Sequence, residues 1–300
     1  MDEHDDWLTQ RFEENRTHLR AVGYRMLGSI SEADDAVQEA WLRLSRSDTS
    51  GVENLGGWLT TVVGRVCLNM LRSRRSRREG ALGEPQLGVH VSDPIVDRED
   101  GIDPEHEALL ADSIGLALLV VLETLSPAER LAFVLHDMFS VPFREIAPIV
   151  DRSPTAARQL ASRARRRVRG AAASADAGLA RQREAVDAFL AASREGDFGA
   201  LLAVLDPDVV LRIDGGAVHA GLSREVRGAR AVTEQTLTFS QLSPFVRPAL
   251  VNGAAGVVVI PRGRPFAVMG FTVARGKIVE IDVLADPARL AQLDLAVLDD

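Results

Sequence analysis

Apolar residues in the first quarter of the chain recur at helical spacing, most clearly toward its end. Trp58, Leu59, Val62, Val63, Val66, Cys67, Met70 and Leu71 fall as adjacent pairs every four residues, the mark of one buried helix stripe. A helix is predicted over 58–78, with Thr61, Arg65, Asn69 and Arg72 on its opposite face. Upstream, Ser31 and the acids after it suit an N-cap and first turn, so a second helix is expected to begin near Ser31. Its wheel turns Ala33, Ala36, Val37, Ala40, Trp41 and Leu44 inward, and Asp34, Asp35, Gln38, Glu39 and Leu42 outward. Periodicity is lost over 79–107, where Gly80, Gly83, Pro85, Gly88, Pro94, Gly101 and Pro104 punctuate a linker. It returns over 108–170, broken at Ser126-Pro127 and Ser153-Pro154, which fits four short helices.

After an Ala-rich connector at about 171–180 the period changes. Helices are expected at 181–195 and 199–205, then strands at 209–213, 246–251, 256–260, 265–273 and 278–284. That order predicts an α+β domain over 181–300, with helices on one face of a curved antiparallel sheet.

At 300 residues the chain suits two or three domains, and 46% hydrophobic with 26% charged residues is a globular composition. Met1 to Asp6 is acidic, unlike an export signal, and the apolar stretches 116–122 and 254–260 are too short to span a bilayer. The lone Cys67 sits on the apolar stripe and reads as a buried thiol, so the cytoplasm is the expected compartment. Neither a metal nor a cofactor is implied.

A net charge of −8 argues against a polyanionic partner until its distribution is read. Residues 65–78 hold six arginines and no acid, and 151–170 hold seven arginines against Asp151 alone. The linker between them holds nine acids against Arg98. Two separate basic surfaces in an acidic chain point to two contacts with nucleic acid.

The second basic block has a recognisable architecture. Residues 143–150 read as a helix, Asp151-Arg152 as a turn, and Ser153-Pro154 as the N-cap and first position of another helix. Ala157, Leu160, Ala161, Ala164 and Val168 would be buried, leaving Arg158, Gln159, Ser162, Arg163, Arg165 and Arg166 outward. This is a helix-turn-helix, whose second helix enters the major groove. Pro148 inside the first helix has no explanation in the sequence.

These residues resemble a known family. Asp34 to Trp41 looks like the region 2 helix of extracytoplasmic-function sigma factors of RNA polymerase, Gly57-Trp58-Leu59 through Arg78 looks like the helix after it, and Leu125-Ser126-Pro127 through Arg169 looks like their region 4. The resemblance implies two all-α sigma domains, over 1–78 and 108–170, and two partners, core RNA polymerase and promoter DNA. It implies that Asp34, Asp35, Gln38 and Glu39 contact the clamp helices of the polymerase's largest subunit. Arg65, Asn69, Arg72 and Arg75 would act at the −10 element, the loop 48–56 would capture a flipped base there, and Arg158, Gln159, Ser162, Arg163 and Arg166 would read the −35 element. The acidic linker would lie in the basic interior of the polymerase.

The C-terminal domain resembles the SnoaL-like branch of the NTF2-like superfamily in Phe189-Leu190-Ala191-Ala192 and in Asp206 to Leu211, which implies a cone with an apolar pocket. Sigma factors fused to such a domain form a subgroup that includes the SigJ-like proteins. Asp214-Gly215-Gly216 resembles its glycine-rich motif, Asp286-Pro287-Ala288-Arg289-Leu290 its C-terminal Asn-Pro-x-Lys-Leu motif, and Leu82 to Pro85 its linker motif only degenerately. Asp214, Gly215, Gly216, Asp286 and Pro287 are therefore candidates for a regulatory contact. Two alternatives stand beside this reading. A one-component regulator with an unidentified small ligand in the C-terminal pocket would explain the helix-turn-helix but not the first basic helix or the acidic linker. An enzyme would draw on Asp214, His219 or Asp282, although no catalytic pairing emerges from their spacing.

Overall fold

A computed structural model describes residues 3–47, 52, 54–80, 89–102, 106, 115–172 and 178–295. Two units result: one from 1–85, 107–112 and 121–169, the other from 86–106, 113–120 and 170–300. The Leu82–Pro85 motif, most of the 48–56 loop and residues 173–177 of the Ala-rich connector fall outside the described residues.

The first unit is helical. Helices α1 (Glu3–Leu27), α2 (Ile30–Leu44) and α3 (Leu55–Gly80) pack around Phe12, Leu19, Val37, Leu44, Leu59 and Leu68, all buried. Helix α2 starts slightly earlier than Ser31 would predict: Gly28, with φ of 70°, ends α1, and Ser29 is the extended residue whose hydroxyl accepts from Glu32 N. After α4 (Gly115–Thr124), α5 (Pro127–Phe133) opens with a reciprocal capping box between Ser126 and Glu129 and runs into a π-helical turn, Val134–Met138. The helix-turn-helix follows as α6 (Phe143–Val150) and α7 (Pro154–Ala172). Asp151, left-handed at φ 55°, makes its turn, and Ser153 Oγ accepts from Ala156 N at 3.2 Å. Pro148 and Arg144 are both exposed, so the carbonyl that loses its intrahelical donor at Pro148 lies on the solvated side of α6. Arg130 Nε donates to Arg25 O at 3.1 Å, tying α5 to α1 through two buried arginines.

The second unit is a helix-on-sheet domain. Helices α8 (Leu179–Glu195), α9 (Phe198–Val204) and α10 (Ala229–Thr238) accompany β2 (Leu205–Asp214), β3 (Arg224–Arg227), β4 (Val246–Val251), β5 (Ala254–Val259), β6 (Ala267–Ala274) and β7 (Lys277–Leu284), and α11 (Pro287–Leu290) follows. Residues 79–107 are not merely a connector, because Val96–Asp97 form strand β1 at the sheet's edge. The order is β1-β4-β5-β6-β7-β2-β3. All pairings are antiparallel except β2 with β7, which corrects the expected all-antiparallel sheet. Left-handed pairs, Asn252-Gly253 and Arg275-Gly276, make two-residue turns that force their neighbours antiparallel. The long connection from β2 to β7 imposes no such direction.

Alternation along the strands sends Val257 and Val259 to one face and Val258 to the other. Phe189, Leu201, Val232, Phe271 and Ile281 fill the first face under the helices. Val96 and Leu290 join Ala249, Val251, Val268 and Leu284 on the second. Strand β3 and helix α10 were not anticipated: Arg-Glu-Val-Arg has too little apolar content to read as a strand, and β3 pairs only with β2 at the other edge.

Candidate functional site

The acidic face of α2 forms as its wheel requires. Asp34, Asp35 and Gln38 are exposed, and Glu39 is partly so, above buried Ala33, Ala36, Val37 and Ala40. Two of the four acceptors are engaged: Asp34 pairs with Arg20 Nε at 2.8 Å, and Glu39 with Arg43 at 2.9 Å across one turn. Trp41 is half-buried against the Phe12 ring, with centroids 5.0 Å apart.

On α3, Arg65, Asn69 and Arg72 are exposed at positions i, i+4 and i+7, a single polar stripe opposite Leu59, Val63, Val66 and Cys67. Burial pushes the Cys67 thiol up to about 12, so it is a packing residue and not a nucleophile. Arg74 is drawn aside into an ion pair with Glu32. The side chain of Arg75 lies outside the described residues.

On α7, Arg158, Gln159, Ser162, Arg163 and Arg166 are all exposed, while Ala157, Ala161, Ala164 and Val168 are buried. They are not equivalent. Arg163 and Arg167 both reach Glu129 at 3.2 Å, and Arg165 is held by Asp137. For Glu129, burial raises the carboxyl pKa, but hydrogen bonds from Ser126 and the charges of Arg167 and Arg163 outweigh it and lower the value. Arg158 lies over the Phe143 ring, 5.5 Å from its centroid.

In the second unit the two quoted motifs come together on the linker. Asp214, at the end of β2, accepts from Val91 N at 3.0 Å and from Arg289 Nη1 at 2.7 Å through Oδ2, with His90 Nδ1 at 3.3 Å. Its Oδ1 accepts from Gly216 N at 3.1 Å. Burial would raise this carboxyl, but His90, the Val91 amide and the Arg289 charge prevail and push it down to about 2. Arg289 in turn donates through Nε to Asp93 Oδ1 at 2.6 Å and through Nη2 to Val91 O. Asp286 caps α11, accepting from Ala288 N at 2.9 Å, and Pro287 takes the first helical position, which fixes the helix that carries Arg289. Glycine is required before it: a Cβ on Gly215 would strike His219 O, and one on Gly216, at φ 61°, would strike the Asp286 carboxylate. Further along, Ile95 and Asn252 exchange bonds of 2.8 Å, Ile95 N to Asn252 Oδ1 and Asn252 N to Ile95 O, and β1 continues the ladder. We call this arrangement the latch. Arg289, His90, Val91, Asp93 and Asn252 were missed as members. Arg289 stood within a quoted motif, whereas the others depend on a pairing across more than 100 residues that no local signal announces.

The domain also encloses a cavity of about 120 Å³ between α8, the end of α10 and the first face of the sheet. Asp214, His219 and Asp282 do not line it, and no ionisable side chain does among the described residues. Asp282 is buried and paired with Arg212 at 3.2 Å, and His219 Nδ1 lies 3.3 Å from Ala285 O. Among the described residues no helix is long and apolar enough to cross a membrane.

Comparison with known proteins agrees with both halves of the chain. The sequence profile of Sigma-70 region 2 matches residues 11–77, and that of Sigma-70, region 4 matches 115–168. The chain is 38% identical over 290 residues to the ECF RNA polymerase sigma factor SigJ of Mycobacterium tuberculosis (strain ATCC 25618 / H37Rv), covering 92% of this chain and 91% of that one. The crystal structure of Mycobacterium tuberculosis extracytoplasmic function sigma factor SigJ superimposes with a TM-score of 0.74 at 34% identity, covering 96% of this chain and 99% of that one.

Proposed function

This chain belongs to the extracytoplasmic-function sigma factors of RNA polymerase, and we propose that its C-terminal domain regulates it by holding the acidic linker in the latch. As a sigma factor it binds core polymerase and directs promoter recognition and initiation. The reading as a one-component regulator falls with that membership.

The finer assignments come from the resemblance, and exposure supports each of them except Arg75, whose side chain lies outside the described residues. Asp34, Asp35, Gln38 and Glu39 form the polymerase-binding face, Arg65, Asn69, Arg72 and Arg75 act at the −10 element, and Arg158, Gln159, Ser162, Arg163 and Arg166 act at the −35 element. Arginine and asparagine stripes on exposed helix faces supply the phosphate and base-edge contacts such recognition needs. Our reading gives the C-terminal domain no chemistry of its own, which is supported by the pairing of Asp214 with Arg289 and of Asp282 with Arg212 and by the position of His219 outside the cavity lining.

One observation carries the regulatory reading: Asp214 and Arg289, 75 residues apart in the domain's sequence, converge on linker residues 90–93. A linker held there cannot simultaneously enter the polymerase interior, so the latch and the polymerase compete for it. Run-off transcription with reconstituted core enzyme tests this. Arg289→Ala should raise promoter-specific output while the protein still co-elutes with core, and unaltered output removes the regulatory reading.

A further inference from the structure

In a chain of net charge −8, residues 235–279 hold four arginines and Lys277 and no acid. Elsewhere in the domain arginines are mated to carboxylates: Arg212 to Glu225, Glu280 and Asp282, Arg227 to Glu225, Arg230 to Glu234, and Arg289 to Asp93 and Asp214. Arg262 and Arg264 differ. Both are exposed, and among the described residues neither has an ion-pair partner.

They stand in the connection between β5 and β6. Arg264 N donates to Pro261 O at 3.2 Å, which closes a four-residue turn with Arg262 and Gly263 at its centre. Both central residues are left-handed, at φ 55° and 75°, a conformation that asparagine, aspartate and glycine adopt most readily. Asn252-Gly253 fills the equivalent positions between β4 and β5. The turn itself therefore does not call for arginine at 262. Packing does not call for it either, since residues 262–265 are all exposed and a Cβ on Gly263 would meet nothing within 4 Å. The turn is fixed to the sheet by Phe266 N donating to Val259 O at 2.8 Å and Ile260 N to Phe245 O at 2.9 Å.

Guanidinium groups without acids to neutralise them suit phosphate, which each can grip with two N–H groups at once. A protein partner would need an apolar centre, and across 235–279 Phe245 is the one large apolar side chain exposed among the described residues. Covalent connection brings such a turn to DNA. From Ala172, the end of α7, to Leu179, the start of α8, the chain reaches at most about 25 Å, so a duplex held by α7 is at high effective concentration for the C-terminal domain. We propose that the Pro261–Pro265 turn is a third DNA contact, in which Arg262 and Arg264 grip backbone phosphates of the duplex flanking the site that α7 reads. This contact reads no bases and adds affinity that falls with salt. Only the choice of duplex rests on the −35 assignment.

The test is binding of a fluorescent promoter duplex to the full-length chain assembled with core polymerase, followed by anisotropy over a range of salt. The variant is Arg262→Asn with Arg264→Gln, chosen because asparagine suits the left-handed position and keeps the turn. Two lost phosphate contacts lower the slope of log affinity against log salt by about 1.8, so the advantage of the native chain should shrink about twelvefold between about 50 and 200 mM salt. The loss should be equal on duplexes that differ in their −35 sequence. Arg262→Lys with Arg264→Lys, which keeps the charge, should retain most of the slope. Arg227→Gln with Arg230→Gln removes the same charge from paired positions of the same domain and should leave the slope unchanged. Three results would overturn the proposal: an unchanged slope in the first variant, an equal fall in the Arg227 and Arg230 control, or a defect confined to assembly with core polymerase without DNA, which would make the partner an acidic protein surface. If instead Arg158→Ala and Arg166→Ala bind normally while the turn variant loses its slope, the −35 assignment fails and the phosphate contact stands.

Discussion

Replacing Arg289 by alanine removes a side chain that joins α11 to both Asp214 and Asp93. The guanidinium is 18% exposed, and its two carboxylate partners are 7% and 9% exposed, so the network is largely shielded from solvent. Taking one partner from such a pair costs about 3–5 kcal/mol, because the charges left behind stay buried. Here two carboxylates would lose the guanidinium they share, while His90, the Val91 amide and the Gly216 amide still contact Asp214. At 1.4 kcal/mol per decade, the released form of the linker should become roughly 10² to 4 × 10³ times more populated. Amide exchange of the full-length variant reads this directly, since the Val91 and Ile95 amides are bonded to Asp214 and Asn252. Peptides covering 89–97 should exchange faster by that factor or up to the unprotected rate, while β5 and β6 keep their protection. Two results would refute the reasoning: unchanged protection of 89–97, or an equal loss across β5 and β6, which would make Arg289 a general support of the domain.

Three further outcomes are expected. Reversing Asp35 and Glu39 to arginine should abolish assembly with core polymerase while leaving the circular dichroism melt in place, as measured by gel filtration with core enzyme. Arg158→Ala and Arg166→Ala should each cost about 1–3 kcal/mol of promoter binding if the arginine contacts a base; Arg163→Ala should cost less, because that side chain must first leave Glu129, and equal losses in a gel-shift series would contradict this. Asp214 contributes stability that is present above its unfolded pKa near 3.8 and is lost as pH falls through about 2. Calorimetry should therefore find a fall of roughly 2 kcal/mol between pH 4 and 2 that is absent in Asp214→Asn.

Local periodicity carried most of the sigma half. Of the α3 stripe, Leu59, Val63, Val66 and Cys67 are buried and Trp58, Val62, Met70 and Leu71 partly so, although Leu68 beside the stripe is buried as well, and the outward arginines of α7 follow from the same count. The Asp214-Gly215-Gly216 and Asp286-Pro287 motifs were legible through the resemblance, and the glycines also as a place of close backbone approach; the cap that Asp286 makes emerged only in the structure. What touches them was not. The linker's Val91, Ile95 and Val96 are apolar residues at irregular spacing among nine acids, so neither period can be read there. Only the edge of β4 and the side chain of Asn252 turn that stretch into a strand. The parallel β2–β7 pairing was hidden for a related reason, since strand direction across a long connection leaves no trace in either strand's own residues.

The composition of the latch has a consequence for how it can be opened. Had the linker been held by apolar contact alone, burial of Val91, Ile95 and Val96 would contribute roughly 1.5–3 kcal/mol each, against an ordering cost of about 1–2 kcal/mol for every residue fixed. Those opposing quantities are of similar size for a segment this short, so apolar burial by itself specifies neither register nor a firm hold. The charged network supplies the register, because Asp93 and the Val91 peptide meet a single guanidinium fork. It also makes the hold exchangeable. A basic surface that attracts the linker's remaining acids competes with Arg289 for Asp93, and once that bond is lost the apolar remainder no longer offsets the cost of order. Under the proposed competition, a linker latched in this way would respond to a polymerase rather than resist it.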